Sequence, residues 1–263
     1  MKKLSFILAS ALLLFKSLHI MKERLLYCSL CLIVLCACNS KPAYQVVEPF
    51  CHVYVQGGRV MPNIMLSQDD SYGYSIHGNS RDALVFVRND TLFGMFHNIK
   101  KGSNTLYICS KDYKSIEASL CNKIATTDTI WLDSLRLNIL NYGKTKIQLY
   151  ANYLNAYLLG KSTVILSGYC TETHWHLTAL NDLNALNLWT DYTYVQADAS
   201  NDLSINVNKQ LWIEKAFMST IKYFGDPDIM QTNMRSSDLI NKIFAFPKPI
   251  SSCKTRFENT VED

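Results

Sequence analysis

Charge is scarce in this chain. Only 18% of its 263 residues are Asp, Glu, Lys or Arg, against 48% apolar, which supports a large core and leaves a weakly charged surface. The net charge is +4, and its position matters more than its size. Lys2, Lys3, Lys16, Lys22 and Arg24 precede Cys38, against the single acid Glu23. Beyond residue 37, basic and acidic side chains are equal in number. A near-neutral body lacks the positive field that nucleic-acid binding needs. Familiar catalytic motifs are missing too: no Gly-x-Ser-x-Gly elbow, no phosphate loop, no Ser/His/Asp set. Neither apolar run near the start, residues 4–15 and 25–37, reaches the ~20 residues of a comfortable membrane span. Helical periodicity is hard to find after residue 44.

What is present at the start reads as a targeting segment. Met21, Lys22, Glu23 and Arg24 give a charged beginning, an apolar run follows, and small residues close it, the layout of a secretory signal. Leu35, Cys36, Ala37 and Cys38 resemble the lipobox of bacterial lipoproteins. That resemblance implies cleavage before Cys38, a diacylglycerol thioether on its sulfur and an acylated amine. More than one acyl chain gives stable anchoring, at about 0.8 kcal/mol per buried methylene. Residues 1–37 are therefore expected to be a lipoprotein-type signal with Met21 as the true start, and residues 38–44 a lipidated tether. A single helix hairpin or an uncleaved anchor is the competing reading. Asn39 is not the aspartate that holds such proteins in the inner membrane, which points to the outer membrane, facing either the periplasm or the outside.

Four of the nine cysteines fall in that segment; Cys51, Cys109, Cys121, Cys170 and Cys253 remain. An odd number leaves at least one unpaired, spacing dictates no pairing, and buried free thiols are an equal reading.

The body alternates with period two. Leu135, Leu137 and Ile139 alternate with Arg136 and Asn138; Leu203, Ile205 and Val207 alternate with Ser204 and Asn206. One face is apolar and the other wet. Turn residues recur: Gly143, Gly160, Asn181, Asn201 and Ser219 are spaced by 17, 21, 20 and 18 residues. A repeat of about twenty residues carrying two short strands suits one coil of a β-solenoid. A β-sandwich of short strands is the alternative.

Residues 211–229 carry the most telling pattern: an apolar strand, a small-residue turn, Ile221-Lys222-Tyr223, then Gly225-Asp226-Pro227. With strand-turn-strand units over residues 135–166, an opening strand over 47–55 and a middle strand over 104–108, the chain resembles the head GIN domain family, the auto-transporter adhesins. The family's turns usually carry Ser-Gly, where this chain has Asn181, Asn201 and Ser219. The resemblance covers residues 45–240 and implies an all-β, right-handed parallel β-helical fold in an exported protein, with no catalytic residues. Residues 241–263, with Pro247 and Pro249, read as a C-terminal tail.

Several constellations invite chemistry. Cys170, His174 and His176 are the best metal candidate, but no fourth ligand is near, and no metal or other cofactor is expected. Asp69 with Asp70, and Asp226 with Asp228, are too few oxygens for calcium. Asp182, Asp198 and Asp202 could meet across coils as an acid cluster of a glycosidase or lyase, yet they sit at predicted turns. Tyrosine is abundant, 15 in all. Tyr142, Tyr150, Tyr157 and Tyr169 are the candidate binding aromatics, because exposed rings stack on sugars or anchor protein partners. The leading expectation is a lipid-anchored envelope protein that binds a glycan or protein ligand without catalysis. A carbohydrate-active enzyme and a structural spacer are the alternatives, and the weakly charged outer faces leave homo-oligomers open.

Overall fold

In the computed structural model, the described residues are 44–59, 61–78, 83–97, 104–141, 143–232 and 239–243. The expected signal segment, Cys38, the expected tether up to residue 43, Tyr142, Cys253 and most of the tail lie outside them. The described residues contain strands and no helix. Nine short strands come first: β1 (Gln45–Val46), β2 (His52–Gln56), β3 (Asn63–Gln68), β4 (Gly73–His77), β5 (Ala83–Arg88), β6 (Thr91–Phe96), β7 (Thr105–Ser110), β8 (Ser115–Ser119) and β9 (Lys123–Thr126). Five long ones follow: β10 (Ile130–Asn141), β11 (Lys144–Gly160), β12 (Thr163–Ala179), β13 (Asp182–Asp198) and β14 (Asp202–Ala216). Then come β15 (Thr220–Phe224), β16 (Asp228–Gln231) and β17 (Leu239–Lys242).

The long strands β11 to β14 each span two walls, and β10 joins the second. β9 pairs in parallel with the first half of β11, whereas β8 pairs in parallel with the second half of β10. At the other end, β15 lies on the first half of β14 and β16 on its second half. The first wall therefore runs β7, β3, β9, the leading halves of β11 to β14, β15 and β17. The second runs β6, β2, β8, the trailing halves of β10 to β14, and β16. The result is a β-solenoid of about six turns. The sandwich alternative fails because every pairing from β8 onward is parallel, while a sandwich is built from antiparallel sheets.

Rungs repeat close to the expected twenty residues. Lys144 pairs with Thr163, Thr163 with Asp182, Asp182 with Asp202, and Asp202 with Thr220. The inward members of the alternation form one continuous core. Leu135, Leu137, Ile139, Leu203, Ile205 and Val207 are all buried, each aliphatic side chain worth about 1.5–3 kcal/mol. Ile221 is fully buried and Tyr223 packs half-buried against the same core.

The turn between the second wall and the next coil holds a polar ladder. Ser162, Asn181, Asn201 and Ser219 stack at equivalent positions and are buried. Asn181 Nδ2 donates to the carbonyls of Leu158 (3.1 Å) and Thr178 (2.6 Å) and to Asn201 Oδ1 (3.1 Å). Ser162 Oγ donates to Asn181 Oδ1 (2.7 Å), and Asn201 Nδ2 donates to Ser219 Oγ (3.3 Å). Buried carbonyls at a chain reversal need donors, and an amide supplies them where the backbone cannot. Ser162, not Gly160, is thus the member of the repeat between Gly143 and Asn181. Gly160 pairs with Ala179 at the strand end, and both have positive φ, 100° and 72°.

The first end is closed differently. β4 pairs antiparallel with β7 and β1, and β5 pairs antiparallel with β6. Asn89 and Asp90 link β5 to β6 with φ of 49° and 56°, the two left-handed residues of a type I′ turn. The opening strand begins at His52 rather than Val47, because residues 47–51 lead from β1 into the solenoid.

Candidate functional site

Alternation sends every second residue of the second wall outward, and parallel register stacks them in rows. One row is Arg136, Asn155, His174, Tyr194 and Trp212; its neighbour is Asn138, Tyr157, His176 and Gln196. The rings touch along and between these rows. Tyr157 and His176 stack at 4.5 Å with planes 9° apart, and His174 and Tyr194 at 5.2 Å and 26°. Tyr153 tilts against His174 at 5.1 Å, and the Arg136 guanidinium lies 5.2 Å from the Tyr157 ring centre. The array ends at Trp212, 44% exposed and tilted against Tyr194. Polar groups are threaded through it: His174 Nε2 meets Glu172 Oε1 at 2.6 Å, and His176 Nδ1 meets Gln196 Oε1 at 3.0 Å.

A third row lies at the bend between the walls. Trp131, Tyr150, Tyr169 and Trp189 occupy four consecutive rungs. Trp131 and Tyr150 stack at 4.4 Å. Beside this row, Asp191 accepts from Lys209 Nζ (2.8 Å), Asn208 Nδ2 (3.1 Å) and Tyr169 Oη (3.4 Å). Partial burial pushes the Asp191 carboxyl up, but these donors outweigh it and hold it below its ordinary value. The paired carboxylate raises Lys209 in turn. Lys209 Nζ also lies 5.4 Å from the centre of the Tyr192 ring.

Of the four tyrosines singled out, Tyr150 and Tyr169 share the row at the bend, Tyr157 lies in the array on the second wall, and Tyr142 is outside the described residues. Cys170 and the two histidines part company. Cys170 is buried inward, with its S–H directed at the Glu172 carbonyl (3.1 Å), while His174 and His176 face out. Among the described residues no three His, Cys, Asp or Glu side chains are grouped to hold a metal. Asp182 and Asp202 are rung neighbours; Asp202 pairs with Lys222 (3.2 Å), and Asp198 pairs with Lys215. Asp226 pairs with Lys242 (2.7 Å) and Asp70 with Lys111 (3.6 Å). Cys51, Cys109, Cys121 and Cys170 are not in disulfides, and burial pushes Cys121 and Cys170 up to about 12. Sequence reasoning missed Trp131, Arg136, Trp189, Asp191, Lys209 and Trp212. Their signal was spacing: Trp131, Tyr150, Tyr169 and Trp189 fall 19 or 20 residues apart.

The sequence profile of the family described as "Putative auto-transporter adhesin, head GIN domain" matches residues 53–227. Among solved structures, an adhesin of this kind from Bacteroides fragilis superposes with a TM-score of 0.69 at 20% identity, covering 76% of this chain and 95% of that one. A second, from Parabacteroides merdae, gives 0.59 at 14% identity, covering 78% and 98%. A third, from Parabacteroides distasonis, gives 0.54 at 14% identity with the same coverage. At these identities the likeness establishes the fold. No curated protein sequence matches the chain.

Proposed function

The chain belongs to the head GIN domain family of auto-transporter adhesins, and from that premise we propose that it is a lipid-anchored, exported binding protein of the bacterial cell envelope. Its role is adhesin-like, and its contact surface is the outer face of the second wall. One observation carries this reading: a continuous run of rings from Tyr157 and His176 to Tyr194 and Trp212, interleaved with Arg136, Glu172 and Gln196. Aromatic and Arg side chains are the usual anchors of binding surfaces, and a rigid sheet presents them with little ordering cost. The anchor is assigned to Cys38 on the lipobox-like tetrad.

Two experiments test it. A glycan and protein binding screen on residues 39–263 should return a ligand, and Tyr157→Ala with Trp212→Ala should abolish its binding while the melting temperature holds. Undiminished binding by that double variant would remove the wall from the reading. Labelled fatty acid should enter the wild-type chain in bacteria and not Cys38→Ala; equal labelling of both would refute the anchor.

A further inference from the structure

Stacked rings on the second wall and in the row at the bend spend their faces on one another. Tyr157 against His176, and Trp131 against Tyr150, lie nearly parallel at 4.5 and 4.4 Å, so their outward parts are ring edges. A flat ligand stacks on a ring face, and faces come free where a stack ends. The row at the bend ends at Trp189. The next rung carries Asn206, which is buried and turns its amide back to the Leu186 carbonyl (3.2 Å). Trp189 is left 38% exposed, and Tyr192 nearby is 41% exposed.

The chain is also irregular at this point. β13 slips register against β14 between Ala185 and Trp189, and again between Thr190 and Tyr192. Bulges of this sort re-aim side chains and gather next to binding sites. Two residues beyond Trp189 is Asp191, its carboxylate oriented by Tyr169, the rung neighbour of Trp189, and by Asn208 and Lys209, whose ammonium lies by the Tyr192 ring.

We infer that the bend of β13 and β14 is a binding site for an uncharged, hydroxyl-rich ring, a neutral pyranose unit of a glycan, seated on Trp189 and hydrogen-bonded by Asp191 and Asn208. This rests on the adhesin-like reading but uses different residues. The chemistry selects the ligand. The indole face suits the C–H side of a pyranose. Asp191 is an acceptor for hydroxyl groups, and Asn208 offers both a donor and an acceptor. Asp191 and Lys209 neutralise each other, so the site offers a charged ligand no net attraction. The patch is far smaller than the roughly 20–30 residues a side of a stable protein interface.

The test is a titration of the full chain with the methyl glycosides of glucose, galactose, mannose, fucose and N-acetylglucosamine, read by tryptophan fluorescence and calorimetry. At least one should bind saturably. Trp189→Ala and Asp191→Asn should each weaken it tenfold or more, and Lys146→Ala, on the outer face of the first wall, should leave it unchanged. Trp189→Phe, which keeps a ring, should retain part of the affinity, and Asp191→Asn keeps the test open if Trp189→Ala does not fold. Sugar binding that survives Trp189→Ala and Asp191→Asn but falls in Tyr157→Ala would overturn this site and leave the wall reading standing. Failure of all five glycosides to bind would overturn it as well, as would binding confined to acidic sugars added as a comparison.

Discussion

Single side chains settle two matters here. Asn181 supplies donors to two carbonyls on different rungs and joins the ladder to Ser162 and Asn201. Asn181→Ala would strand those groups in a dry corner and should cost about 2–3 kcal/mol, the penalty for buried polar groups left without partners. Urea unfolding measures it; a change below about 0.5 kcal/mol would contradict the ladder's role. Asp191 makes a different prediction. Its folded carboxyl sits below the ordinary value of 3.8. A depressed carboxyl stabilises the fold fully above its unfolded pKa and loses that contribution as pH falls through the folded one. Wild type should therefore exceed Asp191→Asn in stability at pH 6, and the gap should close as pH falls below about 3.8. Melting curves of the two proteins across that range provide the check, and a gap that widens in acid would reverse the assignment.

At the scale of elements, the alternation was legible and the bends were not. Leu135, Leu137 and Ile139 could be read as an inward row because a strand's period is two whatever it packs against. Asn181, Asn201 and Ser219 were legible as turn members because their side chains serve chain reversals. Ser162 is a weaker turn signal than Gly160, because serine is equally at home on a wet strand face, and only the ladder distinguishes it. The antiparallel cap of β1, β4 and β5 lacks the clean alternation of the coils, β5 being a continuous apolar run and β1 only two residues long, so the period-two pattern does not reveal how it pairs. Gly168 marks the bend on β12. Its φ is +118°, and a Cβ built there would lie 1.9 Å from the Leu149 carbonyl oxygen on the adjacent rung. Gly168→Ala combines a forbidden backbone conformation with a backbone clash and should cost more than about 2 kcal/mol. Because Tyr169 follows directly, the same variant should also disturb the row at the bend. A wild-type denaturation midpoint would show that the rung spacing relaxes freely there.

For the whole molecule, the described residues are held by one uninterrupted apolar column, and none of their cysteines is in a disulfide. Cys109, Cys121 and Cys170 are buried thiols outside any disulfide, and burial pushes Cys121 and Cys170 up to about 12, which slows their reaction at neutral pH. Dithiothreitol should leave the melting temperature unchanged, and mass spectrometry after alkylation should find these three modified only in denaturant. A melting point that drops on reduction would contradict this reading. The candidate site was only partly legible at this scale. Tyr150, Tyr157 and Tyr169 stand out as tyrosines in repeats, but Trp189 and Asp191 lie where β13 slips register, and no periodic pattern announces a slip. The parallel stacking described above has a mechanical consequence. The strands run around the long axis, so the backbone hydrogen bonds between rungs lie along it. Tension applied between the capped end at β1 and the far end at β17 therefore pulls those bonds apart end-on, a single rung at a time. The chain would lengthen by peeling complete coils, each releasing roughly 60–70 Å of extended backbone at about 3.3–3.6 Å per residue, a stepwise shock absorber in place of a block that fails all at once.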